Sequence, residues 1–168
     1  AVAGLYACPT VVNNVETIAS VPAIIRNGGD WYASYGTEKS KGIKVFAVSG
    51  HVNNPGIFEA PLGITMRELL GYAGGIRDGH NLKFFVVGGS SVPMLTEDHL
   101  DAELSYEGME AVGTMLGTAT PMVFDETVSV VRAITGWLDF YKHESCGKCT
   151  PCREGTWWID QLLHNLKS

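Results

Sequence analysis

Residues 145–156 of this chain read Ser-Cys-Gly-Lys-Cys-Thr-Pro-Cys-Arg-Glu-Gly-Thr. The stretch places Cys146, Cys149 and Cys152 at a strict three-residue spacing. Thiolates in a C-x-x-C-x-x-C run can curl around one soft metal centre, and this spacing is typical of iron–sulfur clusters rather than of the paired C-x-x-C of zinc ribbons. The stretch therefore predicts that the three cysteines are ligands of a [4Fe–4S] cluster and that the chain transfers electrons.

Two other interpretations of the cysteines stay open. A cubane cluster and a structural zinc ion both usually take four protein ligands, and the run supplies three. His143, three residues before Cys146, could complete a Cys3His zinc site, and a further alternative is that no metal binds. Cys8 is the other cysteine of the chain, far upstream, and we expect it to be a small packed residue rather than a ligand.

The charges around the cysteines favour a cluster, because an iron–sulfur cube with thiolate ligands is an anion. Lys142, Lys148 and Arg153 place three positive charges nearby, although a solvated loop could carry them too. Gly147 and Gly155 would let the backbone approach inorganic sulfide, where hydrogen bonds tune the reduction potential. We expect these residues to surround the cluster.

Apolar periodicity predicts a helix on each side of the cysteines. The first would have Asp125 as its N-cap and end near His143, and the second would begin near Cys152 or Arg153, where the helix dipole stabilises a thiolate. We expect Trp157 and Trp158 to be core residues rather than electron relays. The apolar stripe of the first helix is Val128, Val131, Ile134, Leu138 and Tyr141. The expected buried face of the second is Trp158, Ile159, Leu162, Leu163 and Leu166.

Composition excludes several classes of function. A hydrophobic content of 45% over 168 residues can support one large domain or two small ones. A net charge of −6, without a dense basic patch outside the cysteine loop, argues against nonspecific binding of nucleic acid. No apolar run approaches the roughly 20 residues that span a bilayer, and we recognise no signal peptide. We expect any association with a membrane to come through partners, and the clustered thiols to be reduced in the cytosol.

The region between residues 43 and 124 has mostly β character. Residues 43–49 and 57–60 are strand candidates joined by the turn sequence His-Val-Asn-Asn-Pro-Gly, which predicts a hairpin. Thr65 can cap a short helix that stops before Gly74 and Gly75, and residues 82–87 supply another strand. The order strand, turn, strand, helix, strand predicts an α+β fold of the β-grasp type.

Few other residues of this region suggest catalysis. The glycine-containing loops at 88–91 and 113–117 lack the features of a phosphate loop or a dinucleotide fingerprint, so we interpret them as turns. His51, His80 and His99 have no acidic partner at catalytic spacing, and we expect exposed or capping roles for them. No side chain is expected to act as a general acid or base.

Two motifs together resemble those of a known family. Residues 144–156, with Pro-Thr-Val-Val-Asn-Asn-Val-Glu-Thr at residues 9–17, closely resemble the flavin- and NADH-binding subunit of bacterial respiratory complex I, the proton-pumping NADH:quinone dehydrogenase. The resemblance covers essentially the whole chain. It implies a subunit that passes electrons from NADH, through FMN, to the [4Fe–4S] cluster and on to partner subunits.

The same resemblance implies where the cofactors bind. It places most FMN and NADH contacts in an upstream domain outside this chain, and the fourth cluster cysteine beyond Ser168. Within the chain it implies flavin contacts at Val12, Asn13, Asn14 and Thr17. The residues alone indicate that Asn14 is a helix N-cap, so we expect a dual role for it.

The expected domain organisation follows from the patterns and the resemblance together. Residues 1–29 would be the end of the flavin-binding domain, 30–42 a linker, 43–124 a soluble-ligand-binding β-grasp domain that packs against neighbouring subunits, and 125–168 a truncated helical [4Fe–4S] domain. In the first of these, we expect Pro22 to interrupt the helix that Asn14 begins.

The implied partners are the [2Fe–2S] subunit and the large iron–sulfur subunit of the complex I peripheral arm, on the cytoplasmic side of the bacterial inner membrane. Neither nucleic acid nor direct insertion into the membrane is expected. One alternative is the flavoprotein subunit of a soluble NAD-linked hydrogenase or formate dehydrogenase. An alternative from another class is a structural interaction module that binds zinc.

Overall fold

A four-stranded mixed sheet lies in the middle of the chain, of which this computed structural model describes residues 2–167. Its strands are β1 (Ile43–Gly50), β2 (Gly56–Pro61), β3 (Leu82–Val86) and β4 (Met122–Asp125). Their spatial order is β2-β1-β4-β3. The pairs β1–β2 and β3–β4 are antiparallel, and β1–β4 is parallel. The mixed sheet and the helices around it confirm the expected α+β class.

Six α-helices accompany the sheet in the described part of the chain. No helix among residues 2–167 has both the length and the apolar character needed to cross a membrane. Short 3-10 turns lie at Leu5–Ala7 and Glu97–His99. The helices are α1 (Val15–Asn27), α2 (Gly29–Ala33), α3 (Met66–Tyr72), α4 (Tyr106–Ala111), α5 (Val130–Glu144) and α6 (Thr150–Lys167).

The core lies between the sheet and α3. Phe46 on β1 is fully buried, whereas its neighbour Val45 is 38% exposed, as the two-residue period of a strand requires. Thr65 begins α3 with a capping box, as predicted: its hydroxyl accepts a hydrogen bond from the Glu68 amide, and the Glu68 carboxylate accepts one from the Thr65 amide. The helix buries Met66, Leu69 and Leu70 against the sheet.

The centre of the sheet joins β1 to β4, a strand that the sequence patterns did not predict. Gly50 pairs with Val123 in this parallel ladder and has a φ of +90°. A side chain at this position would collide with the carbonyl oxygen of Val123, so the close approach of the two strands requires glycine.

The N-terminal helix confirms one prediction and corrects another. Asn14 is the N-cap of α1, because its side-chain oxygen accepts a hydrogen bond of 2.8 Å from the Glu16 amide. Pro22 does not interrupt α1, which continues to Asn27 and is capped by Gly28. Proline removes the hydrogen bond to the Ile18 carbonyl. Because Ile18 is 54% exposed, water can solvate that carbonyl and the helix tolerates the loss.

Glu16 fastens α1 to the sheet. Its carboxylate forms an ion pair with Lys44 and accepts a hydrogen bond of 2.8 Å from the Val45 amide, both on β1. Burial raises the pKa of Glu16, but the hydrogen bonds from Lys44 and Val45 outweigh it, so the net pKa is lowered. The next segment is partly helical, since residues 30–33 of the expected linker lie in α2.

The helix that precedes the cysteines begins later than predicted. Ser129 is the N-cap of α5, and Asp125 instead lies fully buried at the end of β4. Leu138 is buried, and the other stripe residues of α5 are half-buried. Trp137 contacts Phe124 edge-on with a ring separation of 5.8 Å, which joins α5 to the sheet.

The predicted buried face of α6 is wrong. Trp158, Ile159, Leu162 and Leu166 are all between 49% and 71% exposed, and Trp157 is 51% exposed. The only buried side chain in the described part of α6 is that of Asp160, and Leu163 is half-buried. Apolar periodicity correctly identified a helix, but α5 contacts a different and narrower side of it.

Candidate metal centre

The three cysteines lie together where α5 turns into α6. Cys146 and Cys149 are in the connecting loop, and Cys152 is in the first turn of α6. All three thiols are free and exposed. The predicted position of Cys152 in the first turn of a helix is therefore confirmed.

An ion pair holds the two helices together beside the loop. Lys142 Nζ on α5 lies 2.6 Å from Asp160 Oδ2 on α6, and the Asp160 side chain is only 3% exposed. His164 Nδ1 also lies 3.1 Å from Asp160 Oδ1. The hydrogen bond from Lys142 lowers the pKa of Asp160 despite its burial, so this carboxyl is ionised at neutral pH.

Hydrogen bonds shape the loop itself. The Gly147 amide donates to Ser145 Oγ at 3.2 Å, and Ser145 Oγ lies 3.3 Å from Cys152 Sγ. Arg153 Nη1 donates to the Gly147 carbonyl at 2.8 Å. Gly147 has a φ of +71°, a left-handed conformation that glycine adopts without strain. These contacts tie the start of the loop to the first turn of α6.

The positive charges expected around the cysteines are only partly available. Arg153 is beside the loop but also pairs with Glu154 at 2.9 Å. Lys142 is committed to Asp160, so the expectation that it serves the cluster is not supported by its contacts. Lys148 lies exposed within the loop.

The donor atoms fit an iron–sulfur cluster, because free thiols at one loop offer the soft ligands that iron–sulfur clusters bind. They also suit zinc. His143, the possible fourth zinc ligand, has a side chain that is 85% exposed and lies 3.9 Å from the Glu144 carboxylate. Cys8 is exposed, which corrects the expectation that it is packed. Its Sγ donates to the Tyr6 carbonyl at 3.6 Å, and the short turn around it leaves it outside the core.

The four residues for which the resemblance implies flavin contacts lie at the start of α1. Val12 is 90% exposed, and Asn13, Asn14 and Thr17 are exposed as well. The cap uses the oxygen of the Asn14 amide, which leaves the amide nitrogen free of that contact. Their proximity comes from the chain itself, since they span the N-terminus of a single helix.

A second polar cluster was missed at the sequence level. His51 Nδ1 lies 3.1 Å from Asp125 Oδ1, Arg77 pairs with the other oxygen of Asp125, and His80 Nδ1 lies 2.9 Å from Glu126. His51 and His80 were expected to have exposed or capping roles, but each pairs with a carboxylate and has a side chain that is only 31% exposed. Their carboxylates are far away in sequence. Asp125 approaches His51 through the β1–β4 pairing, and Glu126 approaches His80 through the β3–β4 pairing.

This cluster has a structural explanation. Burial raises the pKa of Asp125, but hydrogen bonds from Thr127, His51 and Arg77 outweigh that effect and lower it. Both oxygens of the buried carboxylate already have cationic or hydrogen-bonding partners. His99 has the capping role expected for it, because its Nδ1 accepts from the Thr96 amide at 3.2 Å.

Comparison with protein families finds two matches. Residues 132–168 match the NADH-ubiquinone oxidoreductase-F iron-sulfur binding region, which contains the three cysteines. Residues 45–95 match the SLBB domain, which covers β1 to β3. The two matches follow one another along the chain without overlap.

Individual proteins are similar over the whole chain. The F subunit of NADH-quinone oxidoreductase from Mycobacterium tuberculosis (strain ATCC 25618 / H37Rv) is 64% identical over 168 residues, which are 100% of this chain and 38% of that protein. The corresponding protein of Streptomyces coelicolor is 63% identical over 168 residues, which are 100% of this chain and 37% of that protein.

A solved structure extends the similarity to the fold. A crystal structure of NAD+-reducing [NiFe]-hydrogenase in the air-oxidized state superposes with a TM-score of 0.84 at 35% identity, covering 99% of this chain and 28% of that one. Sequence identity is nevertheless much higher to the two NADH-quinone oxidoreductase proteins, of which the chain spans a little over a third. Over the residues that it spans, this chain belongs to the family of the F subunit of NADH-quinone oxidoreductase.

Proposed function

We propose that this chain is part of the electron-input subunit of an NADH:quinone oxidoreductase and that Cys146, Cys149 and Cys152 hold a [4Fe–4S] cluster in it. The observation that carries the proposal is the set of three free, exposed thiols at the α5–α6 loop, inside the segment that matches the iron–sulfur binding region. When bound, FMN and the cluster supply the redox chemistry, converting the two electrons of NADH into single-electron steps.

The residues of the chain contribute placement and electrostatics. The Lys142–Asp160 pair holds the helices on either side of the thiols, and the first turn of α6 directs its positive dipole end toward Cys152. The Arg153 guanidinium adds a fixed positive charge beside the loop. The helix dipole and the Arg153 charge would favour the added negative charge when the site receives an electron, whereas the Lys142–Asp160 pair contributes placement.

Electrons would enter the chain from FMN, and we propose that the flavin contacts Val12, Asn13, Asn14 and Thr17. Support comes from their exposure at the N-terminus of α1, where unpaired backbone amides and the helix dipole suit the phosphate of FMN. Asn14 would both cap the helix and offer its amide nitrogen to the cofactor. The upstream domain of the full subunit would supply the remaining FMN contacts and the NADH site.

We propose that residues 43–124 form a β-grasp domain, that 30–42 link it to the end of the flavin domain at 1–29, and that 125–168 begin the helical cluster domain. The parallel β1–β4 pair between two antiparallel neighbours, with α3 packed on the sheet, supports the β-grasp assignment. The domain would pack against other subunits of the peripheral arm, on the cytoplasmic side of the inner membrane. The electron acceptors would be the [2Fe–2S] and large iron–sulfur subunits.

The second candidate is the flavoprotein subunit of a soluble NAD-linked hydrogenase or formate dehydrogenase. The fold similarity to an NAD+-reducing [NiFe]-hydrogenase favours it, at an identity of 35% against 64% for the mycobacterial NADH-quinone oxidoreductase protein. Because the two candidates share this segment, the subunits that copurify with the native protein distinguish them. A membrane-bound multisubunit assembly supports the leading proposal, and a soluble one supports the alternative, with nickel present if it is the hydrogenase.

Metal analysis tests the cluster. The native protein that contains these residues would be purified without oxygen and assayed for iron, zinc and acid-labile sulfide, with low-temperature electron paramagnetic resonance after reduction. We expect about four iron and four sulfide atoms beyond those of the partner subunits. Stoichiometric zinc without labile sulfide would replace the electron-transfer proposal with a structural zinc module.

A further inference from the structure

The hydroxyl of Ser145 reaches the sulfur of a cysteine ligand. Ser145 follows the last residue of α5, is half-buried, and places its Oγ 3.3 Å from Cys152 Sγ on α6. The contact crosses from one helix to the next and is within the range of a hydrogen bond to sulfur. It therefore joins a residue that is not a ligand to one of the three proposed ligands.

The direction of the Ser145–Cys152 hydrogen bond follows from ligation, and a second hydrogen bond is compatible with it. The Gly147 amide points its proton at Ser145 Oγ, with a distance of 3.2 Å between nitrogen and oxygen. This contact occupies a lone pair of the oxygen and leaves the hydroxyl proton free. A thiolate has no proton and can only accept. When Cys152 is a metal ligand, the bond therefore runs from the Ser145 O–H to Sγ.

The other hydrogen-bonding side chains next to Cys152 donate to atoms other than its sulfur. The Thr156 hydroxyl donates to the Cys152 carbonyl at 2.7 Å, and not to its sulfur. Arg153 directs its guanidinium to the Gly147 carbonyl and the Glu154 carboxylate. Within residues 142–156 of the described structure, the contact from Ser145 is the side-chain hydrogen bond that reaches a cysteine sulfur.

We propose that Ser145 is a positioning residue that raises the reduction potential of the cluster through its hydrogen bond to Cys152 Sγ, an inference that rests on the proposed function. Reduction adds one electron to the cluster and makes its sulfur ligands more negative. A hydrogen bond to such a sulfur is stronger in the reduced state, so it favours the uptake of the electron. Ser145 also aligns the Cys152 side chain with the loop that carries the other two thiols.

The experiment compares hydroxyl-bearing and hydroxyl-free side chains at this position. Ser145→Ala and Ser145→Thr would be made in the native protein, and the midpoint potential of the cluster measured by a redox titration followed by electron paramagnetic resonance. The cluster signal is the one that Cys149→Ala removes. Ser145→Val extends the comparison, because valine matches threonine in shape. If Ser145→Ala does not retain iron, the threonine and valine variants still differ only in the hydroxyl.

We expect the alanine and valine variants to have a more negative midpoint potential, corresponding to roughly a three- to tenfold lower ratio of reduced to oxidised cluster. A tenfold change equals about 59 mV for a one-electron couple. The threonine variant should stay near the native value. Thr156→Val is the matched control, because it removes a hydroxyl that bonds to the backbone of the same cysteine, and it should leave the potential unchanged.

Two results would overturn the inference while leaving the proposed function intact. One is an unchanged potential in alanine and valine variants that contain the full iron and sulfide. The other is an equal shift in the threonine or Thr156→Val proteins, which would attribute the change to packing. A native protein without iron or labile sulfide would instead refute the proposed function itself.

Discussion

Lys142 and Asp160 form an ion pair of 2.6 Å between the two helices on either side of the exposed cysteine loop. The partners differ in environment, since the Lys142 side chain is 39% exposed and that of Asp160 only 3%. An unpaired carboxylate would be costly at such a buried position. The pair therefore requires the two helices to stay in register on both sides of the thiols.

Asp160→Asn is expected to lower the melting temperature of the protein, because it leaves Lys142 without its buried counter-charge. The pKa of Asp160 is lowered, so its contribution to stability is present above the ordinary aspartate pKa of about 3.9 and is lost as the pH falls below that value. Thermal melting at neutral and acidic pH measures both effects. Asp139→Asn is the control, since Asp139 is 55% exposed and 3.8 Å from the same lysine. Equal effects of the two variants would contradict the prediction.

Cys149→Ala is expected to abolish cluster assembly, because it removes one of the three proposed thiol ligands at the α5–α6 junction. Iron and sulfide content and the reduced-cluster resonance of the native protein are the measurements. Cys8→Ala provides the matched control, because Cys8 is also free and exposed but lies at the other end of the chain, and it should leave the cluster intact. A normal reduced-cluster resonance in the Cys149→Ala protein would contradict the proposal that Cys149 is a ligand.

Glu107 gives a testable dependence on pH. The hydroxyls of Ser40 and Thr37 donate to its carboxylate, and these hydrogen bonds lower its pKa from 4.5 to about 2. A lowered pKa means that the ionised form stabilises the folded state. The contribution is complete above pH 4.5 and is lost as the pH falls from there toward 2.

Glu107→Gln should therefore destabilise the protein at neutral pH, and the difference from the native protein should shrink as the solution is acidified. The urea midpoint, followed from neutral pH to about pH 3, measures this. Glu110→Gln on the same helix removes an exposed carboxylate and should show a smaller difference. A Glu107→Gln effect that is independent of pH would contradict the assigned pKa.

Gly50→Ala is expected to cost more stability than Gly75→Ala, although both glycines have a positive φ, +90° and +82°. The left-handed conformation costs a residue with a Cβ about 1–2 kcal/mol. Space is open around Gly75, but at Gly50 the new methyl group would strike the Val123 carbonyl, which adds about 1–3 kcal/mol. Denaturant unfolding of the two variants measures the difference, and equal losses would argue against the close β1–β4 pairing.

The fold could be predicted where structure depends on neighbours in sequence. The β1–β2 hairpin follows from its turn residues, and α3 from the cap at Thr65 and the glycines after it. The strand β4 could not be predicted, because it is short and its partner β1 is far away along the chain. Asp125 looked like an N-cap by residue type, and only the sheet reveals that it is buried beside His51 and Arg77.

For the candidate site, too, the features that depend on neighbours in sequence could be predicted, and those that depend on the packing of helices could not. The spacing of the cysteines predicted them as ligands, which stays a prediction, and the structure places two of them in the α5–α6 loop and Cys152 in the first turn of α6. The contact between Ser145 and Cys152 depends on the angle at which α5 turns into α6, which no local pattern specifies. The prediction of which face of α6 is buried was wrong. Apolar periodicity shows that a helix has an apolar side, but it does not show which part of that side a neighbouring helix covers.

The parallel pairing of β1 with β4 also has a consequence for the order in which the sheet and the cysteines can form during synthesis. A ribosome releases β1 long before β4, so the centre of the sheet stays open while the intervening residues are translated. The thiols emerge only after β4 is complete, because α5 and its loop follow it directly. If the proposed cluster is inserted during synthesis, iron and sulfide would therefore meet these cysteines only after every strand of the sheet has been made.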